Sequence, residues 1–175
     1  MTILTIISIL LLVGYTLVIC LANKQIPDSL SQSVFYLSPK VTWIWTVIIA
    51  LVAFTVMPPV IEKTPEHYQF LAFIACTALA FVAVCPLMPE KDAVTEDGEV
   101  IIDKSIMAYR IHMVAAVICG VCSQILIALC CKWLLLAWAP WAIAFVIITA
   151  NGKWRTATFW AEMVCFATTY AYTLI

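Results

Sequence analysis

The amino-acid sequence predicts an all-α integral membrane protein, a single domain built as a bundle of about six transmembrane helices. Hydrophobic residues make up 65% of the 175 residues and charged residues only 11%, with a mean hydropathy of +1.08. Soluble domains are about one quarter charged and about half apolar, so a water-soluble fold of this size could not bury so much apolar surface. The charges also leave gaps of about 20 residues, the length that crosses a bilayer core about 30 Å thick.

Five stretches of the chain lack every charged residue, and each is long enough to form one membrane-spanning helix. A sixth stretch, 154–175, has a similar length but carries Glu162. The first stretch has no Lys or Arg before it and no small-residue cleavage motif after it, so we interpret it as a retained helix rather than a signal peptide. The predicted helices lie near 3–22, 41–61, 67–88, 105–131, 133–150 and 155–175.

Successive connections between the helices alternate between the two sides of the membrane, and the basic residues are distributed unevenly between these sides. Loops one, three and five carry six Lys and Arg residues, whereas loops two and four carry two. By the positive-inside rule we expect the odd-numbered loops in the cytoplasm and both termini outside, in a plasma membrane of the bacterial type. The two groups are Lys24, Lys40, Lys91, Lys104, Lys153 and Arg155 on one side and Lys63 and Lys132 on the other.

Loop one is too long for a tight turn and contains a pattern typical of a helix start. Ser29 is followed three residues later by Gln32, which is the spacing of a capping box. Leu30, Val34 and Leu37 would share one face of the following helix, so we expect a short helix lying on the membrane surface. An irregular loop is the alternative.

Loop three is acidic and contains a turn motif. Asp97 and Gly98 lie between residues that favour strands, and an Asp-Gly pair in that setting predicts a β-hairpin or turn over 95–100. The acidic residues do not follow the spacing of a calcium-binding loop, so we interpret the segment as a solvated connection.

Glu162 is an ionisable residue inside a predicted span, and such a residue is costly and usually faces the bundle interior or water. Arg110 and His112, near the start of the fourth predicted helix, are candidate partners. Two positions along a helix are about 200° apart around its axis, so these two cannot face the same way. His112 shares its face with small and polar residues, whereas Arg110 shares its face with apolar ones. We therefore expect His112 to face Glu162 inside the bundle and Arg110 to reach the lipid headgroups.

Four polar residues on four predicted helices lie at a similar depth in the membrane. His112 and Glu162 are each about seven residues from a helix end, roughly 10 Å deep. Tyr15 and Thr46 fall at about the same level, so the four residues could form one polar layer. Such a layer is either a hydrogen-bonded clasp between helices or a binding or proton-handling site, and the sequence leaves both open.

The eight cysteines raise the alternative of a membrane thiol oxidoreductase, since Cys119 and Cys122 form a CxxC motif. Reactive thiols of such motifs usually lie at a helix N-terminus, which stabilises the thiolate. This pair is predicted in mid-helix, so we interpret the cysteines as small apolar packing residues and expect the pair to be unreactive.

Other catalytic and cofactor motifs are absent from the sequence. The two histidines, His67 and His112, lie at opposite predicted faces of the membrane, so the chain lacks the three ligands of a typical catalytic zinc site. The sequence shows no Ser-His-Asp motif, Walker loop or GxGxxG motif, and its few scattered basic residues argue against nucleic acid as a partner. We expect no catalytic activity, cofactor or metal.

Two short motifs resemble a known family. Residues 27–31 read Pro-Asp-Ser-Leu-Ser after the first span, and His112 is soon followed by an Ala-Ala pair. This order resembles the Frag/DRAM-like six-span membrane proteins and related bacterial families of unknown function. The resemblance implies a six-helix bundle associated with lipid or membrane trafficking, no established catalysis, and Ser29, Ser31 and His112 as residues to test. It also implies a first loop on the non-cytoplasmic side, opposite to the side that the lysines favour.

The sequence thus supports three functional hypotheses for a chain whose immediate partners are membrane lipids. The leading hypothesis is a non-enzymatic protein that binds a lipid or small molecule between its helices, or modulates partner proteins. The second is a small proton-coupled transporter that uses Glu162 and His112. The third is the thiol oxidoreductase that uses Cys119 and Cys122.

Overall fold

The computed structural model describes residues 1–38, 40–85, 104–150 and 156–175, and within these ranges all regular structure is helical. The α-helices are α1 (Thr2–Asn23), α2 (Trp43–Lys63), α3 (Gln69–Val84), α4 (Lys104–Cys130), α5 (Trp138–Ala150) and α6 (Thr156–Leu174). Short 3-10 helices span Ser31–Tyr36, Glu66–Tyr68 and Lys132–Ala137. The all-α prediction is therefore confirmed for the described residues, whereas the hairpin predicted at 95–100 lies outside them.

Five helical segments of the described chain are long and apolar enough to cross a bilayer. Several helices of this kind fit integral membrane insertion, which agrees with the composition. The helix α6 has 19 residues but is less apolar, and it is not one of the five. The five segments are Thr2–Asn23, Trp43–Lys63, Glu66–Val84, Met107–Cys130 and Lys132–Ala150.

The buried core lies between the helices, and the outer surface of the bundle is apolar. α3 packs against α2 and α4, α1 packs on α2, and α6 contacts α1, α2, α4 and α5. Trp45 and Ile49 of α2 are almost fully buried, whereas Ile3, Leu21 and Leu136 are more than two thirds exposed. Large exposed apolar patches are rare on soluble monomers, and here they suit contact with lipid tails.

Polar side chains of α6 bond to the helices around it. The Tyr170 hydroxyl lies 2.9 Å from the Ser8 hydroxyl of α1. Gln124 of α4 donates from its side-chain amide to the Thr168 hydroxyl at 3.1 Å. These bonds explain how a helix of lower hydropathy packs in the bundle, because its polar groups find partners inside the protein.

Candidate functional site

The first part of loop one is inserted into one end of the helix bundle. Ser29, Leu30 and Ser31 are buried, and the 3-10 helix Ser31–Tyr36 follows them. The Ser29 hydroxyl accepts a hydrogen bond from the Gln32 N–H at 3.1 Å, as in the first half of a capping box. Loop one therefore contains a short 3-10 helix packed against the bundle, and a helix lying on the membrane surface stays a prediction. We call residues 28–33 the loop-one plug, since helices enclose its serines as well as its leucine.

His112 on α4 joins the plug to the end of α3. Its imidazole is 1% exposed, with Nε2 2.8 Å from the Ser31 hydroxyl and Nδ1 2.6 Å from the backbone carbonyl of Cys85. A carbonyl can only accept a hydrogen bond, so Nδ1 carries the hydrogen. In the neutral imidazole the unprotonated Nε2 then accepts the hydrogen of the Ser31 hydroxyl.

Glu162 on α6 holds the plug from another side. Its Oε2 accepts a hydrogen bond from the backbone N–H of Leu30 at 2.5 Å. The N–H of Phe159 donates to the Asp28 carbonyl at 3.0 Å, which satisfies an N–H near the start of α6 that has no partner within its own helix. The start of α6 and the plug therefore hold each other in place.

His112 and Glu162 bond to adjacent residues of the plug and not to each other. Among the described residues no hydrogen bond or ion pair joins the two side chains. Both side chains line the larger cavity, and each bonds to its own residue of the plug, His112 to Ser31 and Glu162 to Leu30. Counting depth along helices omitted the loop, which supplies the partners of both side chains.

The remaining members of the predicted polar layer have different surroundings. The Tyr15 hydroxyl lies 2.8 Å from the Ser33 hydroxyl, so α1 also supports the plug. The Tyr15 ring packs against Trp45 with 5.7 Å between ring centroids. Thr46 is half-buried on α2, and within the described chain no hydrogen bond joins it to the plug.

Two cavities meet at the plug. One of about 430 Å³ has a wall of mixed polar and apolar side chains, and the other, of about 210 Å³, is almost entirely apolar and runs between α2, α3, α4 and α6. Ser31 and Glu162 line both cavities, together with Ala116 and Thr158. Mostly apolar walls with a few convergent polar groups are the usual form of a ligand site. The polar side chains that line the larger cavity include Asp28, Ser29, Gln32, Tyr109 and His112.

The indole N–H of Trp45 is a buried donor in a residue that lines the apolar cavity. Trp45 is 1% exposed, and no acceptor among the described residues reaches its Nε1. A buried donor without a partner costs about 1–3 kcal/mol.

Arg110 and the CxxC cysteines do not contact the plug. Arg110 is exposed beside apolar residues of α3 and α4, whereas His112, two positions on, is buried. Cys119 and Cys122 are half-buried free thiols within α4, and Cys119 lines the apolar cavity. In the described part of the chain, no three His, Cys, Asp or Glu side chains are placed to hold a metal ion.

Sequence reasoning identified most of the side chains at this site but missed several of their partners. Ser33 could have been found, because Ser29, Ser31 and Ser33 recur at every second position of the plug. The carbonyl of Cys85 could not, because every residue carries a backbone carbonyl and its use leaves no signal in the sequence.

Comparison with known proteins adds no assignment: no protein-family model, no curated protein and no solved structure matches the chain.

Proposed function

We propose that this chain is a six-span membrane protein that binds an amphiphilic lipid or small molecule beside the loop-one plug. The observation that carries the proposal is the meeting of a mixed cavity and an apolar cavity at Ser31 and Glu162. A ligand with a polar head and an apolar tail fits this arrangement, with the head near His112 and the tail between α2 and α4. The larger cavity also falls within the range of roughly 300–1,000 Å³ typical of ligand sites.

A sixth span formed by α6 is part of the proposal. At about 1.5 Å per residue its 19 residues extend about 28 Å, close to the thickness of a bilayer core. Its polar side chains bond to α1 and α4, which lowers the cost of placing them in a membrane. With six spans, the uneven distribution of Lys and Arg favours odd-numbered loops in the cytoplasm and both termini outside. The resemblance to Frag/DRAM-like proteins remains a hypothesis that agrees with this topology in the number of spans.

Proton-coupled transport is the second candidate function, because Glu162 and His112 line the same cavity. Ionisable side chains that face a cavity inside a membrane protein often mark a proton or substrate pathway. In that case Glu162→Gln should abolish transport in proteoliposomes while the protein stays folded. In a protein that only binds its ligand, the same change should be mild.

Ligand binding is tested by filling the apolar cavity from α4. Gly120 lines this cavity, and a Cβ placed on it meets no atom within 4 Å. Gly14 of α1 offers the same open space on an exposed face and is the matched control. The probe is a monoacylglycerol with a nitrobenzoxadiazole label on its acyl chain, whose fluorescence rises when it enters an apolar site. We expect Gly120→Phe to remove this signal and Gly14→Phe to retain it.

Thermal unfolding of the purified variants in detergent shows whether each one is folded. If folded Gly120→Phe protein bound the probe as well as the Gly14→Phe control, the apolar cavity would not be the binding site. Lipids that co-purify with each variant, measured by mass spectrometry after extraction, give a second readout that needs no added probe.

A further inference from the structure

We propose that Ser31 and His112 form a catalytic pair that cleaves a neutral carboxylic ester of a long-chain amphiphile. The inference rests on the proposed binding function, since the ester would occupy the same two cavities. It differs from the sequence-based expectation of a protein without catalysis. That expectation relied on the lack of a recognisable Ser-His-Asp motif, whereas the present pair forms only through tertiary structure.

The geometry is that of a serine activated by a histidine. The Ser31 Oγ lies 2.8 Å from His112 Nε2, within hydrogen-bond distance of a base. The other ring nitrogen is held 2.6 Å from the Cys85 carbonyl, which fixes the tautomer with its unprotonated nitrogen toward Ser31. In a catalytic triad a carboxylate orients the histidine, and here a backbone carbonyl occupies that place.

The position of Ser31 specifies the class of substrate. Ser31 lines both cavities, so an ester carbonyl beside it could extend an acyl chain into the apolar cavity and its alcohol part into the larger one. Among the described residues that line either cavity there is no Lys or Arg, whereas Asp28 and Glu162 line the larger one. Carboxylates that line a cavity disfavour a phosphate group there, so a neutral ester fits better.

One side chain that lines the larger cavity together with Ser31 can support the substrate without taking part in bond exchange. The Gln32 side chain lines the larger cavity, and its amide N–H groups are donors of the type that stabilises the oxyanion of an acyl-transfer intermediate.

The reaction runs in two balanced steps with water as the second reactant. In the first step Ser31 Oγ attacks the ester carbonyl carbon and its proton moves to His112 Nε2. The bond to the alcohol oxygen then breaks, and the alcohol leaves with the proton from Nε2. In the second step water attacks the acyl-serine and gives a proton to Nε2. The bond to Ser31 breaks, Oγ takes back that proton, and the carboxylic acid is released.

The test uses the full chain, purified in detergent, and a fluorophosphonate probe with a dodecyl chain. This reagent bonds covalently to activated serine hydroxyls, and peptide mass spectrometry locates the adduct. We expect one adduct, on Ser31, that is absent in Ser31→Ala and forms at least about 100-fold more slowly in His112→Asn, the size of effect typical of a lost general base. Release of nitrophenol from 4-nitrophenyl dodecanoate should fall in the same two variants.

The matched control is Ser123, which also lines the apolar cavity but donates its hydroxyl to the Gly120 carbonyl of its own helix. Ser123 should carry no adduct in the parent protein, because its hydroxyl is bonded to the carbonyl of its own helix and not to a base. If the parent protein bound the labelled monoacylglycerol but neither took up the fluorophosphonate at Ser31 nor released nitrophenol, the catalytic inference would be overturned and the proposed binding function would stand. If the parent protein bound no labelled monoacylglycerol, the proposed binding function itself would be wrong.

A second variant keeps the inference testable if Ser31→Ala does not fold. Ser31→Cys retains a nucleophile beside His112 and should be alkylated by a dodecyl iodoacetamide faster than the eight native thiols, which peptide mapping can compare within one sample. Adding His112→Asn should remove that advantage. Alkylation of Cys at position 31 no faster than that of the half-buried Cys119 would show that His112 does not activate this position, and would overturn the proposal.

Discussion

The hydrogen bond from Leu30 to Glu162 predicts a specific difference between two substitutions. Glu162→Ala removes the carboxylate that accepts from the Leu30 N–H, and Leu30 is 3% exposed, so water cannot readily replace this acceptor. A buried N–H left without an acceptor costs about 1–3 kcal/mol. Glu162→Gln keeps an acceptor oxygen at nearly the same place, so its cost should be no more than about 1 kcal/mol, the difference between a charged and a neutral acceptor.

The assay is thermal unfolding of the purified variants in one detergent at neutral pH. For a chain of this length, each kcal/mol corresponds to about 2–4 °C in Tm. Glu62→Ala, at an exposed carboxylate near the end of α2, is the control and should change stability by about 0.5 kcal/mol or less. Equal destabilisation by Glu162→Ala and Glu162→Gln would refute the reasoning, because it would mean that the negative charge, and not the acceptor, holds the plug.

Further predictions concern the helix interior, the topology and the thiols. Gly120→Ala should raise the free energy of unfolding by about 0.5–1 kcal/mol, since the added methyl group meets open space and alanine favours a helix, as chemical or thermal unfolding would measure. Reporter fusions should place the C-terminus at Ile175 outside and loop three, within 92–100, in the cytoplasm, and a cytoplasmic C-terminus would reverse the proposed orientation. Cys119 and Cys122 should be alkylated slowly near neutral pH in detergent, and rapid alkylation of both would revive the oxidoreductase hypothesis.

The helices could be predicted because a bilayer core excludes charge, and the long gaps between charges mark where the chain can cross it. The predicted ends of the helices agree less well with the structure where a short 3-10 helix precedes the α-helix. The predicted helix 133–150 begins in the structure with the 3-10 helix Lys132–Ala137, and α5 starts at Trp138, with Pro140 in its first turn where proline is tolerated. Hydropathy identifies α6 less clearly as a span. The polar side chains that lower its hydropathy bond to partners on other helices, which hydropathy does not take into account.

Within the site, the sequence by itself singled out Glu162 and His112, because an ionisable residue in a span is costly and helical geometry sets which face it occupies. The sequence also indicated Ser29, through the capping-box spacing, and both Ser29 and Ser31, through the motif at residues 27–31. The partners of these side chains depend on how distant parts of the chain pack together. Whether a loop lies on the membrane or enters the bundle depends on the space left between helices that are distant in sequence, and on backbone groups such as the Cys85 carbonyl and the Leu30 N–H. Every residue carries such groups, so the contacts they make are specified by packing and not by residue type.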